Sequence, residues 1–110
     1  MCCKKVKVAS QEPELLDFVG IYQATDSMRN GVAVYRKEDS IGRPKEFFLF
    51  RGSSGWFLDT KISSGSALAF VPETQQRDQE CPGETKKAGK WKVDRRGHWK
   101  ASITTNVTCV

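Results

Sequence analysis

A chain of 110 residues has room for one domain and one hydrophobic core, which excludes a multi-domain arrangement. Hydrophobic residues make up 38% and charged residues 28%, with three Trp, six Phe and two Tyr, a richer aromatic content than a disordered chain carries. The formal net charge is +5, and no apolar run is long enough for a membrane-crossing helix.

Residues 1–10 read in two ways. Cys2 and Cys3 beside Lys4, Lys5 and Lys7 suit either an S-acylated tail, with the lysines as the second membrane signal, or an unmodified flexible tail or disulfide partners. Myristoylation is excluded, because Cys2 stands where a glycine is required. Yet Lys5-Val6-Lys7-Val8 alternates at period two, the pattern of a strand with one wet face. Gln11-Glu12-Pro13-Glu14 follows where a signal peptide would be apolar. The chain as written is therefore expected to be cytoplasmic or membrane-associated, and extracellular if it is a domain cut from a larger protein.

Ser10 to Gly20 carries a capping Ser, an early Pro and a final Gly, which predicts one short helical turn. A hairpin is expected from Gly20–Ala24 to Val32–Tyr35 through a longer loop ending at Asn30-Gly31. A second joins Phe47–Phe50 to Trp56–Leu58 across Arg51–Gly55, and a third joins Trp91–Val93 to His98–Ile103 across Asp94–Gly97. Strict alternation in the third puts Trp91, Val93, Trp99, Ala101 and Ile103 on one face and Lys90, Lys92, Lys100 and Ser102 on the other. Lys61–Ser66 and Pro72–Gly89 read as irregular, the latter as the longest loop. The fold class expected is all-β, mainly antiparallel: a small barrel or sandwich of about six to eight short strands with at most one short helix. The repeated Gly55-Trp56 and Gly97-His98-Trp99 is read as two rings closing sheet ends rather than as an internal repeat.

Gly20-Ile21-Tyr22, Asn30-Gly31-Val32-Ala33-Val34-Tyr35, Phe48-Leu49-Phe50, Gly55-Trp56, Cys81-Pro82-Gly83, Trp91, Gly97-His98-Trp99 and Val107-Thr108-Cys109 follow one another in order. In this the chain resembles short β-rich modules of eukaryotic multi-domain and surface proteins, and the resemblance implies a non-catalytic building block.

Positive charge gathers near the third hairpin. Lys86, Lys87, Lys90, Lys92, Arg95, Arg96 and Lys100 follow an acidic stretch holding Glu73, Asp78, Glu80 and Glu84. One reading is a basic face that attracts a protein, a sulfated glycan or an anionic membrane surface; the other is a solvated sheet face partly neutralised by the acidic loop. Nucleic acid is disfavoured, because the expected faces separate the tryptophans from the lysines.

Cys81 and Cys109 are the candidate disulfide, closing a loop of about 28 residues for about 3 kcal/mol in an oxidising compartment. No metal site is expected, since adjacent Cys2-Cys3 chelates poorly and His98 is the only imidazole. Asn106-Val107-Thr108 is a glycosylation sequon, meaningful only in a secreted chain. No catalytic residue is flagged: His98 has no nucleophile paired to it by motif, and Asp59, Glu46 and Asp26 are carboxylates that only a fold would bring together. No cofactor motif is present. The expected function is a non-catalytic binding or interaction module; the alternative is a small hydrolase or transferase with an unrecognised site.

Overall fold

A computed structural model describes residues 3–40, 42–52, 55–60, 69–72, 91–95, 97–102 and 104–110. The domain is all-β and antiparallel, as the alternation predicts, and the described residues form nine strands in one curled, half-barrel sheet. They are β1 (Lys5–Ala9), β2 (Gly20–Arg29), β3 (Val32–Lys37), β4 (Phe48–Gly52), β5 (Gly55–Asp59), β6 (Ala69–Pro72), β7 (Lys92–Arg95), β8 (His98–Ala101) and β9 (Asn106–Cys109). Their spatial order is β8-β7-β6-β5-β4-β3-β2-β1-β9, a meander in which the last strand returns to the first. The two strands beyond the seven legible segments are β6 and β9. Of the stretches Lys61–Ser66 and Pro72–Gly89, expected to be irregular, Pro72 instead ends β6 opposite Gly55, and 61–66 and 73–89 lie outside the described residues.

Period-two alternation builds the inner face. In β1, Val6 and Val8 are fully buried while Lys5 and Lys7 face solvent. Val6 lies opposite Tyr22, and Val8 opposite Val107. A second inner row, Tyr35, Leu49, Leu58, Ala69 and Val93, crosses five strands as direct partners. Trp56 and Trp91 pack with these rows at 1% and 3% exposure. The helical segment is a 3-10 turn, Pro13–Phe18, which turns Leu15 and Phe18 into the same core. Its N-cap is Glu12 rather than the expected Ser10. The Ser10 hydroxyl instead accepts the Glu12 N–H at 3.1 Å and bonds Thr105 Oγ1 at 2.8 Å, tying the turn to the β8–β9 connection.

The hairpins are tighter than expected. Arg29 pairs with Val32, so Asn30-Gly31 alone forms the first turn, with φ of 52° and 83° at the two central residues, as a primed turn demands. The extra residues join β2 through a register shift between Ala24 and Met28. In the second hairpin Gly52 already pairs with Gly55.

Residues 5–9 form an interior strand between β2 and β9, so the expected tail at 1–10 is corrected for those positions: Val6 and Val8 are too deeply buried to leave the sheet. The expected cysteine pairing is also corrected. Cys109, directly opposite Val6, is bonded to Cys3 with a Cα–Cα distance of 5.8 Å, so its sulfur is not available to Cys81. The same bond occupies the thiol that acylation of Cys3 would need, while Cys2 and Cys81 lie outside the described residues.

Two expectations follow from these contacts. The sequence separation of 106 between Cys3 and Cys109 is that of a loop whose closure contributes about 4 to 5 kcal/mol in the chain-entropy model. Cys3→Ser with Cys109→Ser should lose most of that in denaturant unfolding, and an unchanged midpoint would show that the ladder alone holds the ends. The second concerns Tyr22, fully buried, whose hydroxyl donates to the Phe18 carbonyl at 2.8 Å. Burial, and secondarily the charge of Asp39, raises its pKa well above the usual value. The folded state therefore disfavours tyrosinate, so this stability is complete below pH of about 10 and is lost as pH rises beyond it. Tyr22→Phe should cost about 1 kcal/mol at neutral pH and flatten the alkaline fall in melting temperature; an unaltered alkaline slope would exclude Tyr22 as its source.

Candidate functional site

The third hairpin is where the sequence reading and the structure part. Positions of like parity share a face across a hairpin only when an odd number of residues separates the closing pair. Here Arg95 pairs with His98 across two positions, so Trp99 lies opposite Asp94, Lys100 opposite Val93, and Ala101 opposite Lys92. Trp99 therefore joins Lys92 on the outer face, and Lys100 turns to the inner side. The expected division into an aromatic inner face and a lysine outer face is corrected accordingly. Trp91 does point inward and is buried, whereas Trp99 is 49% exposed. The two glycine-Trp segments are thus not equivalent: Trp56 fills the core and Trp99 does not.

Of the seven basic residues proposed as one patch, Lys86, Lys87, Lys90 and Arg96 lie outside the described residues, and for Arg95 the backbone alone is described. Lys92 and Lys100 point to opposite faces, so these two do not share the patch. Lys100 reaches back toward Glu12, at 3.8 Å.

What the outer face does present is a row of rings. Phe50 is the direct partner of Phe57, and Phe57 of Phe70, on the side away from the core. The ring centroids stand 5.8 Å apart at both steps. Trp99, diagonal to Phe70, meets it edge to face at 4.6 Å. Lys92, the partner of Phe70 on β7, holds its ammonium 5.9 Å from that ring centroid. Phe50 is buried and Phe57 and Phe70 are half-buried, so exposure rises along the row to Trp99. Asp94, beside Trp99, is engaged in the turn, accepting the Gly97 N–H at 2.9 Å. Among the described residues Lys92 has no acidic partner and is the cation over the rings. Such a surface stacks on the apolar face of a ring and offers a cation to an anionic substituent.

Two clefts carry other polar groups. One, of about 380 Å³, is lined by Leu16, Asp17, Lys37, Asp39, Ser40, Arg43, Lys45 and Phe47. Lys37 is 8% exposed and points inward opposite Tyr22. Its ammonium donates to the Asp17 carbonyl at 2.7 Å, pairs with Asp39 at 3.4 Å and lies 5.3 Å from the Phe47 ring centroid. The Ser40 hydroxyl donates to the Lys37 carbonyl at 2.8 Å and accepts the Phe47 N–H at 3.3 Å. These bonds hold the Glu38–Ser40 turn against β3 and occupy the groups a nucleophile and its activator would use. The second cleft, of about 310 Å³, brings Asp26 to Arg36 with Gln23, Ala24 and Thr25. Arg36 also pairs with Glu46 at 3.4 Å. Asp59 lies in the same cross-strand row, separated from Arg36 by Phe48, and its Oδ1 accepts the Thr60 N–H at 2.6 Å. Of the three acids considered from sequence, Glu46 pairs with Arg36, Asp26 lines the same cleft as that arginine, and Asp59 stands one strand further on beyond Phe48. His98 is exposed, opposite Arg95, and lines neither cleft. Among the described residues no cluster of three or more His, Cys, Asp or Glu could hold a metal ion.

Sequence reasoning missed the Phe57–Phe70–Trp99 row and the inward Lys37. The first was detectable only by counting the residues between paired strand ends. No family model, no curated protein and no solved structure matches this chain.

The row rests on Gly52. A Cβ there would fall on the Phe57 ring, 2.6 Å from Cδ2 and closer still to Cε2. Gly52→Ala should displace Phe57 and cost about 1 to 3 kcal/mol, seen as an earlier urea midpoint with shifted Phe57 and Phe70 ring resonances; a variant that leaves both in place would show the ring does not need this seat.

Proposed function

We propose that this domain is a non-catalytic binding module that takes an anionic, sulfated glycan on the outer face of β5 to β8. The observation that carries the reading is the half-exposed Trp99 set against Phe70, with the Lys92 ammonium over the same ring. A large ring left in water at a sheet surface, rimmed by a cation, is the feature that separates a contact surface from a merely solvated face. The CH face of a pyranose matches Trp99 and Phe70 in size and polarity, and a sulfate at its edge reaches Lys92. The Cys3–Cys109 bond supports a chain that meets its partner in an oxidising compartment, where sulfated glycans are displayed. The basic patch expected from sequence is replaced here by one lysine placed among aromatics. Because Trp99 and Lys92 share a face, the geometric objection to single-stranded nucleic acid no longer holds, and that polymer becomes the competitor to exclude.

Retention on a heparin column at low salt tests the proposal. Trp99→Ala and Lys92→Glu should each elute at clearly lower salt than the parent, Lys100→Glu much less so, and a soluble sulfated oligosaccharide should displace the protein where its desulfated form does not. Variants that co-elute with the parent would sink the aromatic-face reading, and preferential release by a single-stranded oligonucleotide would replace the glycan with nucleic acid.

A further inference from the structure

The sequon Asn106-Val107-Thr108 falls on β9, and strand geometry decides how it is displayed. Val107 is buried at 2% exposure opposite Val8, so Asn106 and Thr108 point to the outer face. Asn106 is exposed, and no side-chain partner holds it among the described residues. Two residues of strand separate Asn106 from the Cys3–Cys109 bond. Disulfides of this kind form in the oxidising route along which such a sequon is read. Among the described strands β9 also has a neighbour on one side only, β1, leaving its other edge as a template for pairing with another chain.

We infer that Asn106 is a site of N-linked glycosylation and that its glycan covers the β9 edge. The donor class is an oligosaccharide carried on a lipid pyrophosphate. The Asn106 amide nitrogen forms a bond to the anomeric carbon of the first sugar, and the bond from that carbon to the pyrophosphate oxygen breaks. The lipid pyrophosphate leaves with the electron pair, the amide proton passes to a base of the transferring enzyme, and nothing is oxidised or reduced. The Thr108 hydroxyl, two residues on, supplies the contact that the sequon requires. This site is independent of the ligand proposed for the β5 to β8 face.

The test is the mass of the full chain made behind a cleavable secretion signal in a eukaryotic host, read in both the medium and the cell-retained fraction. The expected result is a chain whose added mass is removed by peptide-N-glycosidase and maps to Asn106. The addition should be lost in Asn106→Gln and in Thr108→Ala and kept in Thr108→Ser. Light scattering should show the parent monomeric at concentrations where Asn106→Gln rises above monomer mass. A bare Asn106 in the secreted chains overturns the site, whether the Cys3–Cys109 bond is formed or not. Equal monomer mass for parent and Asn106→Gln overturns the shielding of the edge.

Discussion

Across β4, β5 and β6 both faces of the sheet are apolar: Leu49, Leu58 and Ala69 point inward, Phe50, Phe57 and Phe70 outward. Hydrophobicity alone does not choose between these rows, and a slip of one residue would exchange them. The choice is made at the strand ends, by the Gly52–Gly55 and Arg95–His98 closing pairs, and the rest of the sheet inherits it. With the register fixed, the aliphatic row meets Tyr22, Trp56, Trp91 and the Pro13–Phe18 turn, and the phenylalanine row is left outside. The core and the outer aromatic surface are two results of one constraint.

How much the sequence disclosed follows the range of the interactions. Alternation over four or five residues is local, so β1, the apolar runs of β3 to β5 and the Asn30-Gly31 turn were legible, and with them the antiparallel all-β class. Facing across a hairpin depends on the parity of its turn, which is why Trp99 was assigned to the wrong side. The partner of Cys109 depends on the return of β9 to β1, a contact across nearly the whole chain that no spacing rule encodes. Lys37 was hidden for another reason. It sits where β3 ends, at the last inward position, and its ammonium is satisfied by a carbonyl and an acid from two other segments.

The two surfaces also differ in how firmly they are held. Inner-row side chains are fully buried, whereas Phe57 and Phe70 are half-buried and meet in ring-to-ring contacts of roughly 0.5 to 1.5 kcal/mol each. Trp99 belongs to a strand whose four residues are all exposed, at the end of the strand order. The outer face is therefore the less enclosed of the two. The β1–β9 pairing joins residues about a hundred positions apart, the kind of long-range contact that slows folding, whereas β1–β2 is local.

The bond between Cys3 and Cys109 has a mechanical meaning as well. Its two Cα atoms are 5.8 Å apart, yet 106 positions of chain run between them. A pull applied on either side of this pair passes through sulfur, so the strands bear no load and about 350 Å of extended chain stays withheld from the line of force. Reduction of that one bond would pass such a load to the β1–β9 ladder, which pairs Val6 with Cys109 and Val8 with Val107.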